Sequence, residues 1–282
     1  MEVIVGKLAG FCGGVENAVK VAKEEALKGK IYCFGELVHN KQVVEELQKE
    51  GMETVEDLNL VPDNSTVIFR AHGVKKEDYK KAVEKKLKVV DLTCGNVKII
   101  HQKIEKREDD EFVIIIGEKN HPEVIGSESF LKNGFVIENE SDILDAYMTY
   151  EESGCSKVFV IAQTTFSSKK FDELLDEIND NFAETIVEFD KTICMATENR
   201  QAEMIKMSKE IDNMVIIGGK NSANTRKLVE IAKTNCQNVY HIQTVEDLKE
   251  IDFKSVERIG IAAGASTPKN IIEDVKRYLE SK

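Results

Sequence analysis

Phe112-Val-Ile-Ile-Ile116-Gly117-Glu-Lys-Asn-His121-Pro122-Glu123-Val124 runs from an apolar stretch through a polar loop into the start of a helix, and the arrangement recurs along the chain. The loop Gly117-Glu-Lys-Asn-His121-Pro has counterparts in Gly35-Glu-Leu-Val-His39-Asn and Gly218-Gly-Lys-Asn-Ser222-Ala. A second loop follows each: Arg70-Ala-His72-Gly-Val, Ala162-Gln-Thr164-Thr-Phe-Ser and Ala263-Gly-Ala-Ser266-Thr-Pro. Two of the three series then reach a cysteine, in Asp91-Leu-Thr-Cys94 and Lys191-Thr-Ile-Cys194. No cysteine follows the third, and the missing member stands near the other end, in Gly10-Phe11-Cys12-Gly13-Gly14. A threefold repeat whose last piece begins the chain closes into a ring, which predicts that Cys12, Cys94 and Cys194 converge on its axis.

Working outward, the apolar runs at 66–69, 112–116, 157–161, 213–217 and 258–262 read as strands buried on both faces. Charged amphipathic segments at 15–27, 41–50, 76–86, 169–181, 197–211 and 223–234 read as helices. Their alternation predicts parallel sheets built from right-handed crossovers. The fold class is therefore α/β, as three pseudo-threefold-related domains in a trefoil: 13–96, 97–195, and 196–282 together with 1–12. Ligands of such sheets bind beyond the carboxyl ends of the strands, and every repeat loop falls at such a junction.

The chain has 282 residues, with 51 acidic against 39 basic side chains and a formal charge of −12. That balance argues against a nucleic-acid partner, whose phosphates need cationic patches. The start, Met1-Glu-Val-Ile-Val, lacks the charged and apolar regions of a signal peptide, and no apolar stretch approaches the ~20 residues that span a bilayer. A cytoplasmic protein with no membrane partner is the expectation. In that compartment the six cysteines have little use as disulfides. Cys33, Cys155 and Cys236 lie outside the repeat and read as small buried hydrophobes.

Structural zinc uses four ligands, commonly in close pairs, and the chain contains no Cys-x-x-Cys. Three cysteines from distant segments, each beside glycine or a helix start, better suit an iron-sulfur cluster, whose negative charge is stabilised by amide donors at helix N-termini. Three thiolates on a four-iron cluster leave one iron able to bind a substrate oxygen and pass electrons to it. Unrelated buried cysteines are the competing reading, against which the repeat placement counts.

The polar ring consists of His39, His121 and Ser222 from the first loops and His72, Thr164 and Ser266 from the second. His101 and His241 lie off these junctions and read as structural. Asn221-Ser222-Ala223-Asn224-Thr225, opening a helix, is the best phosphate cradle, to be completed by His39, His72 and Ser266. No Walker motif is present. Glu123 carries two readings: a buried proton donor of raised pKa, or a glutamate at a helix start that complements the dipole.

Together these residues resemble the LytB-type 4-hydroxy-3-methylbut-2-enyl diphosphate reductase family over essentially the whole chain. The resemblance is carried by Gly10-Phe-Cys12-x-Gly-Val15, Ala71-His72-Gly-Val74, Thr93-Cys94, His121-Pro-Glu123-Val124, Gln163-Thr164-Thr165, Thr192-Ile-Cys194-x-Ala-Thr197, Asn221-Ser222-x-Asn224 and Gly264-Ala-Ser266-Thr-Pro268. It implies a 4Fe-4S cluster on Cys12, Cys94 and Cys194, and a two-electron reductive dehydration giving isopentenyl and dimethylallyl diphosphate at the end of the non-mevalonate isoprenoid pathway. It further implies that His39, His72, Ser222, Asn224 and Ser266 hold the diphosphate. His121, Glu123 and Thr164 would handle the hydroxyl end, with Glu123 as proton source through Thr164 and the unique iron on the alkoxide. A ferredoxin or flavodoxin would supply electrons. Asn17, Gly95-Asn96 and Ala223 depart from the usual arginine, Pro-Leu and second serine. The rival readings are a quinolinate synthase-like, non-redox cluster dehydratase and a non-catalytic cluster sensor.

Overall fold

The computed structural model describes residues 1–253 and 256–282. The chain opens with β1 (Glu2–Val5) and α1 (Gly13–Ala26). Next come β2 (Ile31–Phe34), α2 (Lys41–Lys49), β3 (Met52–Val55), β4 (Thr66–Phe69), α3 (Lys76–Glu84), β5 (Lys88–Asp91) and α4 (Gly95–Glu105). A second series repeats the plan: β6 (Glu111–Ile116), α5 (Pro122–Glu128), β7 (Gly134–Ile137), α6 (Ile143–Ser153), β8 (Lys157–Ala162), α7 (Ser168–Asn181), β9 (Ile186–Asp190) and α8 (Met195–Glu210). The third is β10 (Asn213–Ile217), α9 (Ala223–Asn235), β11 (Asn238–Ile242), β12 (Arg258–Ala263) and α10 (Lys269–Glu280).

These strands form three four-stranded sheets, β3-β2-β4-β5, β7-β6-β8-β9 and β11-β10-β12-β1, with all pairings parallel. The order is the same in each once β1 takes the role of β5 and β9. Ile4 stands opposite Gly260, so the N-terminal strand completes the third sheet, as the displaced cysteine requires. The fold is α/β with three similar units of sheet and helix.

The central strands are apolar on both sides because both sides are covered. In β6, Phe112, Ile114 and Ile116 pack with Phe171, Leu174 and Ile178 of α7, while Val113 and Ile115 face Ile100 and Ile104 of α4. The period of two along the strand divides the run between these layers, and each fully buried Phe, Leu or Ile contributes about 1.5–3 kcal/mol. In the third sheet Val215 and Ile217 pack with Ile272, Val275 and Leu279 of α10, and Met214 and Ile216 with Met204 of α8 and Leu228 of α9. Edge strands such as β9 are more exposed and more polar, which explains why the apolar runs mark only the strands buried on both faces.

Two helices start two residues earlier than their amphipathic pattern: α1 at Gly13 and α8 at Met195, each directly after a cysteine. For α1 the reason is visible in the Cys12 carbonyl, which accepts from Glu16 N at 2.9 Å and so draws Gly13 and Gly14 into the first turn.

The chain gathers into two compact units. One comprises Met1–Val21, Val38–Lys49 and Met195–Lys282 and holds the third sheet; the other comprises Ala22–Leu37 and Glu50–Cys194 and holds the first two. Among the described residues, no helix is long and apolar enough to cross a membrane.

In the unit that holds the third sheet, fully buried Thr225 of α9 fits between two glycines that directly follow strands. A Cβ on Gly264 would lie 2.1 Å from Thr225 Oγ1, and one on Gly218 would lie 2.5 Å from it. Gly264→Ala should therefore destabilise the protein by roughly 1–3 kcal/mol through overpacking. Adding Thr225→Ala removes the obstructing oxygen and should return much of that loss. Chemical denaturation of the single and double variants checks both, and strict additivity would refute the contact.

Candidate active site

Each repeat cysteine is the residue immediately before a helix: Cys12 before α1, Cys94 before α4 and Cys194 before α8. In all three the backbone N–H donates to a second-loop carbonyl: Cys12 to Ala265 at 3.0 Å, Cys94 to Ala71 at 2.9 Å and Cys194 to Thr164 at 2.9 Å. None of the six cysteines is in a disulfide, and the repeat cysteines are partly exposed whereas Cys33, Cys155 and Cys236 are buried. Burial pushes the Cys33 thiol up to about 12, so it stays protonated. The loop before Cys12 is fixed from α8, where Glu203 accepts from Lys7 N and Leu8 N and Arg200 donates to the Gly10 carbonyl at 2.8 Å.

Among the described residues, no group of three or more His, Cys, Asp and Glu side chains is gathered closely enough to hold a metal ion. Cluster thiolates each take a different iron, so their spacing is wider than that of ligands to one ion. The donors suit a cluster on two further counts. A Cβ placed on Gly13 or on Gly95, the residues following Cys12 and Cys94, would meet nothing within 4 Å, which leaves room beside these sulfurs. Each thiol also stands at a helix start, where amide dipoles favour negative charge.

In the unit that holds the first two sheets, His121 is the N-cap of α5, and its Nδ1 accepts from Glu123 N at 3.1 Å. The neutral ring therefore carries its proton on Nε2. His72 lies edge-on to His121, with ring centroids 5.6 Å apart. Glu123 is 2 % exposed. Thr164 donates to both of its oxygens, from N to Oε1 at 2.6 Å and from Oγ1 to Oε2 at 2.7 Å. Burial raises the carboxyl to about 7 even though both Thr164 bonds pull the other way. At neutral pH the carboxyl is thus divided between its two protonation states. When it is protonated, its O–H can donate to the Thr164 hydroxyl, which then turns its own proton outward.

In the other unit, Ser222 caps α9, its Oγ accepting from Thr225 N at 3.3 Å. Asn224, in the first turn, is 4 % exposed, and its Nδ2 has no hydrogen-bond partner among the described residues. An unsatisfied buried donor is costly, and an anion at this helix start would satisfy it. Ser266 donates to the His39 carbonyl at 3.2 Å, so holding an anion would mean redirecting its hydroxyl. Gly219 lies so close to His39 that a Cβ would come 2.4 Å from that same carbonyl.

The hydrogen bonds refine the repeat register. Gly35, Gly117 and Gly218 occupy one position, each donating to the last residue of the neighbouring strand, Val55, Ile137 and Ile242 respectively. Counting from the ends of β4, β8 and β12 places Thr164 with Ala71 and Ala265, and Thr165 with His72 and Ser266. The matching turns Gly73 N to Arg70 O, Phe166 N to Gln163 O and Thr267 N to Gly264 O fix the same offset. The sequence reading aligned Thr164 with His72 because adjacent threonines are indistinguishable without the strand end. Thr165 Oγ1 accepts from Gln163 Nε2 at 2.8 Å, and Gln163 Oε1 accepts from Glu118 N, linking the two loops. His101 stacks on Phe130 with ring centroids 4.3 Å apart and is driven down to about 4 by burial. His241 Nε2 lies 3.1 Å from the Gly218 carbonyl.

Three parallel sheets whose strand-end loops carry thiols, a buried protonatable acid and serine- and histidine-capped helix starts define the class as an α/β protein with polar groups gathered at its strand ends. The chain belongs to the LytB family, whose model, described as LytB protein, matches residues 3–280. Proteins named 4-hydroxy-3-methylbut-2-enyl diphosphate reductase are 42% identical in Aquifex aeolicus (strain VF5), over 99% of this chain and 96% of that protein, and 37% identical in Clostridioides difficile (strain 630), over the full length of both. The solved E-1-hydroxy-2-methyl-but-2-enyl-4-diphosphate reductase from Plasmodium falciparum superposes with a TM-score of 0.87 at 30% identity, covering 99% of this chain and 87% of that one. A second solved structure, described as the terminal enzyme of the non-mevalonate pathway, covers both chains fully at 41% identity with a TM-score of 0.70.

The raised carboxyl has a stability signature. A buried acid whose folded pKa is about 7, against an ordinary 4.5, loses its contribution as pH rises between those values. Glu123→Gln removes that loss, so above pH 7 the variant should gain roughly 3 kcal/mol relative to its standing at pH 4, at about 1.36 kcal/mol per unit. Denaturation midpoints of the cluster-free chain across this range test it, and a pH-independent difference would contradict the buried-acid assignment.

Proposed function

We propose that this chain is an oxidoreductase that converts 4-hydroxy-3-methylbut-2-enyl diphosphate to isopentenyl and dimethylallyl diphosphate, the last step of the non-mevalonate isoprenoid pathway. The observation that carries the reading is the Glu123–Thr164 pair: a fully enclosed carboxyl, protonatable near neutral pH, with both oxygens on one threonine. Family membership and full-length relatives bearing the reductase name support the substrate. The reaction consumes two electrons and two protons, replaces the C–O bond of the alcohol by C–H, and releases the oxygen as water.

Cys12, Cys94 and Cys194 would hold a 4Fe-4S cluster, which when bound supplies single electrons and a Lewis-acidic iron. The chain's own residues do the rest. Asn224 and Ser222, at the start of α9, hold the diphosphate, with His39, His72 and Ser266 as further donors. His121, with its proton on Nε2, donates a hydrogen bond toward the hydroxyl end. Glu123 gives its proton to Thr164 Oγ1 as the threonine hydroxyl passes its own to the departing oxygen, turning a poor leaving group into water. Half-protonation near neutrality suits a donor that must reload each cycle. Electrons come from a ferredoxin or flavodoxin, the compartment is the cytoplasm, and the three sheets with their helices form three domains bounded near residues 96 and 195. A cluster sensor leaves the Glu123–Thr164 pair without a task, and a non-redox dehydratase has no need of a reductant.

Anaerobically reconstituted protein, given the hydroxylated allylic diphosphate and a chemical reductant, should yield both products; no conversion with an intact cluster would refute the reading. Glu123→Gln should keep its iron and sulfide content and lose about 10²- to 10⁴-fold in kcat. Asn224→Ala should act mainly on KM, raising it by roughly 5- to 100-fold for the loss of a charge-paired hydrogen bond. Equal losses in kcat and kcat/KM would remove Asn224 from the diphosphate site.

A further inference from the structure

Cys194 receives a side-chain hydrogen bond: the Asn96 amide donates to its sulfur, with Nδ2 3.0 Å from Sγ. Asn96 is the second residue of α4, two positions after Cys94. It reaches a sulfur 98 residues further along because α4 lies beside the segment that leads out of β9, where Lys103 of α4 pairs with Asp190. At the other end of that segment, Thr192 Oγ1 donates to the Ala162 carbonyl and accepts from Ala162 N. Thr164 O anchors Cys194 N. Both partners of the N–H···S bond are thus positioned by contacts that do not involve the bond itself. An amide oxygen at this distance would be repelled by a thiolate, so the donor nitrogen is the group that belongs there.

From this geometry we infer that Asn96 is a positioning residue that tunes the electron affinity of the cluster ligated through Cys194. The inference rests on the cluster reading given above. Adding an electron places more negative charge on the ligating sulfurs, so a donor aimed at one of them is bound more strongly in the reduced state than in the oxidised one. Hydrogen bonds to cluster sulfurs are among the protein's levers on reduction potential. Asn96 therefore makes the cluster easier to reduce, and a leucine, with no donor, forfeits the effect. Since Asn96 is exposed, water can replace part of the lost bond, and the effect is moderate.

The test uses full-length protein reconstituted without oxygen, as wild type, Asn96→Leu and Asn96→Asp, with the reduced cluster followed by electron paramagnetic resonance during a redox titration. At a fixed potential the reduced-to-oxidised ratio should fall about three- to tenfold in Asn96→Leu, the worth of one partly exposed hydrogen bond; tenfold equals 59 mV for a one-electron couple. Asn96→Asp, isosteric but presenting a carboxylate, should fall further. Thermal stability and iron content should be unchanged in both. Equal potentials in all three proteins overturn the inference while leaving the cluster reading intact, whereas a wild type that assembles no cluster overturns that reading itself. Should neither variant assemble a cluster, pulsed resonance on reduced wild type labelled with ¹⁵N-asparagine decides: a coupling to one amide nitrogen supports the bond, and its absence refutes it.

Discussion

One backbone hydrogen bond, made three times, fixes where the three repeat cysteines stand. In each repeat the cysteine N–H donates to the loop that leaves the second central strand, at Ala265, Ala71 and Thr164. The cysteine is thereby held at the junction of a strand-end loop and a helix start. In the second repeat the receiving residue has further duties. Thr164 accepts from Cys194 through its carbonyl while its own N–H and hydroxyl both go to Glu123. A single residue thus joins the thiol and the acid, and a shift of either loop would disturb both.

Desolvation is what raises the Glu123 carboxyl. A carboxylate accepting two hydrogen bonds would ordinarily sit below the usual range, and here burial outweighs both. The surrounding packing leaves little space for water to relieve that cost: Val124 is 1 % exposed and Gln163 is 2 % exposed, and Gly117 is packed so tightly that a Cβ would press on both. The raised carboxyl is therefore a consequence of loop packing rather than of a neighbouring charge. It follows that substitutions at Gly117 act on the acid even though no side chain there touches it.

Much of this was readable from residue order. The apolar runs from 112 to 116 and from 213 to 217 mark central strands because both of their faces are covered, and a run of Ile and Val has no polar side to spare. The displaced cysteine suggests that the chain's start belongs with its last segment, and β1, too short and mixed to stand out as a strand, pairs with β12. Edge strands were harder to see, since β5 and β9 mix charge with apolar residues over four or five positions and resemble loops. The early starts of α1 and α8 depend on backbone turns that begin at cysteines, which propensity does not encode. Thr165 escaped for a related reason: the offset between repeats is set by where β8 ends, and two adjacent threonines offer no mark of it. The Asn96–Cys194 bond links residues 98 apart, a pairing that follows only from the packing of α4 along the end of β9.

The net charge of −12 also bears on the anion site. The side chains assigned to the diphosphate are hydroxyls, an amide and imidazoles, and none of them is a lysine or arginine. Cations in such a pocket would form ion pairs costly to desolvate. Neutral donors at a helix start draw their affinity from oriented dipoles already fixed in the fold, and Asn224 offers one more: a buried amide N–H with no hydrogen-bond partner among the described residues. Such a site discriminates by geometry, because an anion that fails to reach Nδ2 leaves that donor unsatisfied. The same polar economy applies to Glu123, which can remain protonated near neutrality because burial, rather than a neighbouring charge, sets its pKa.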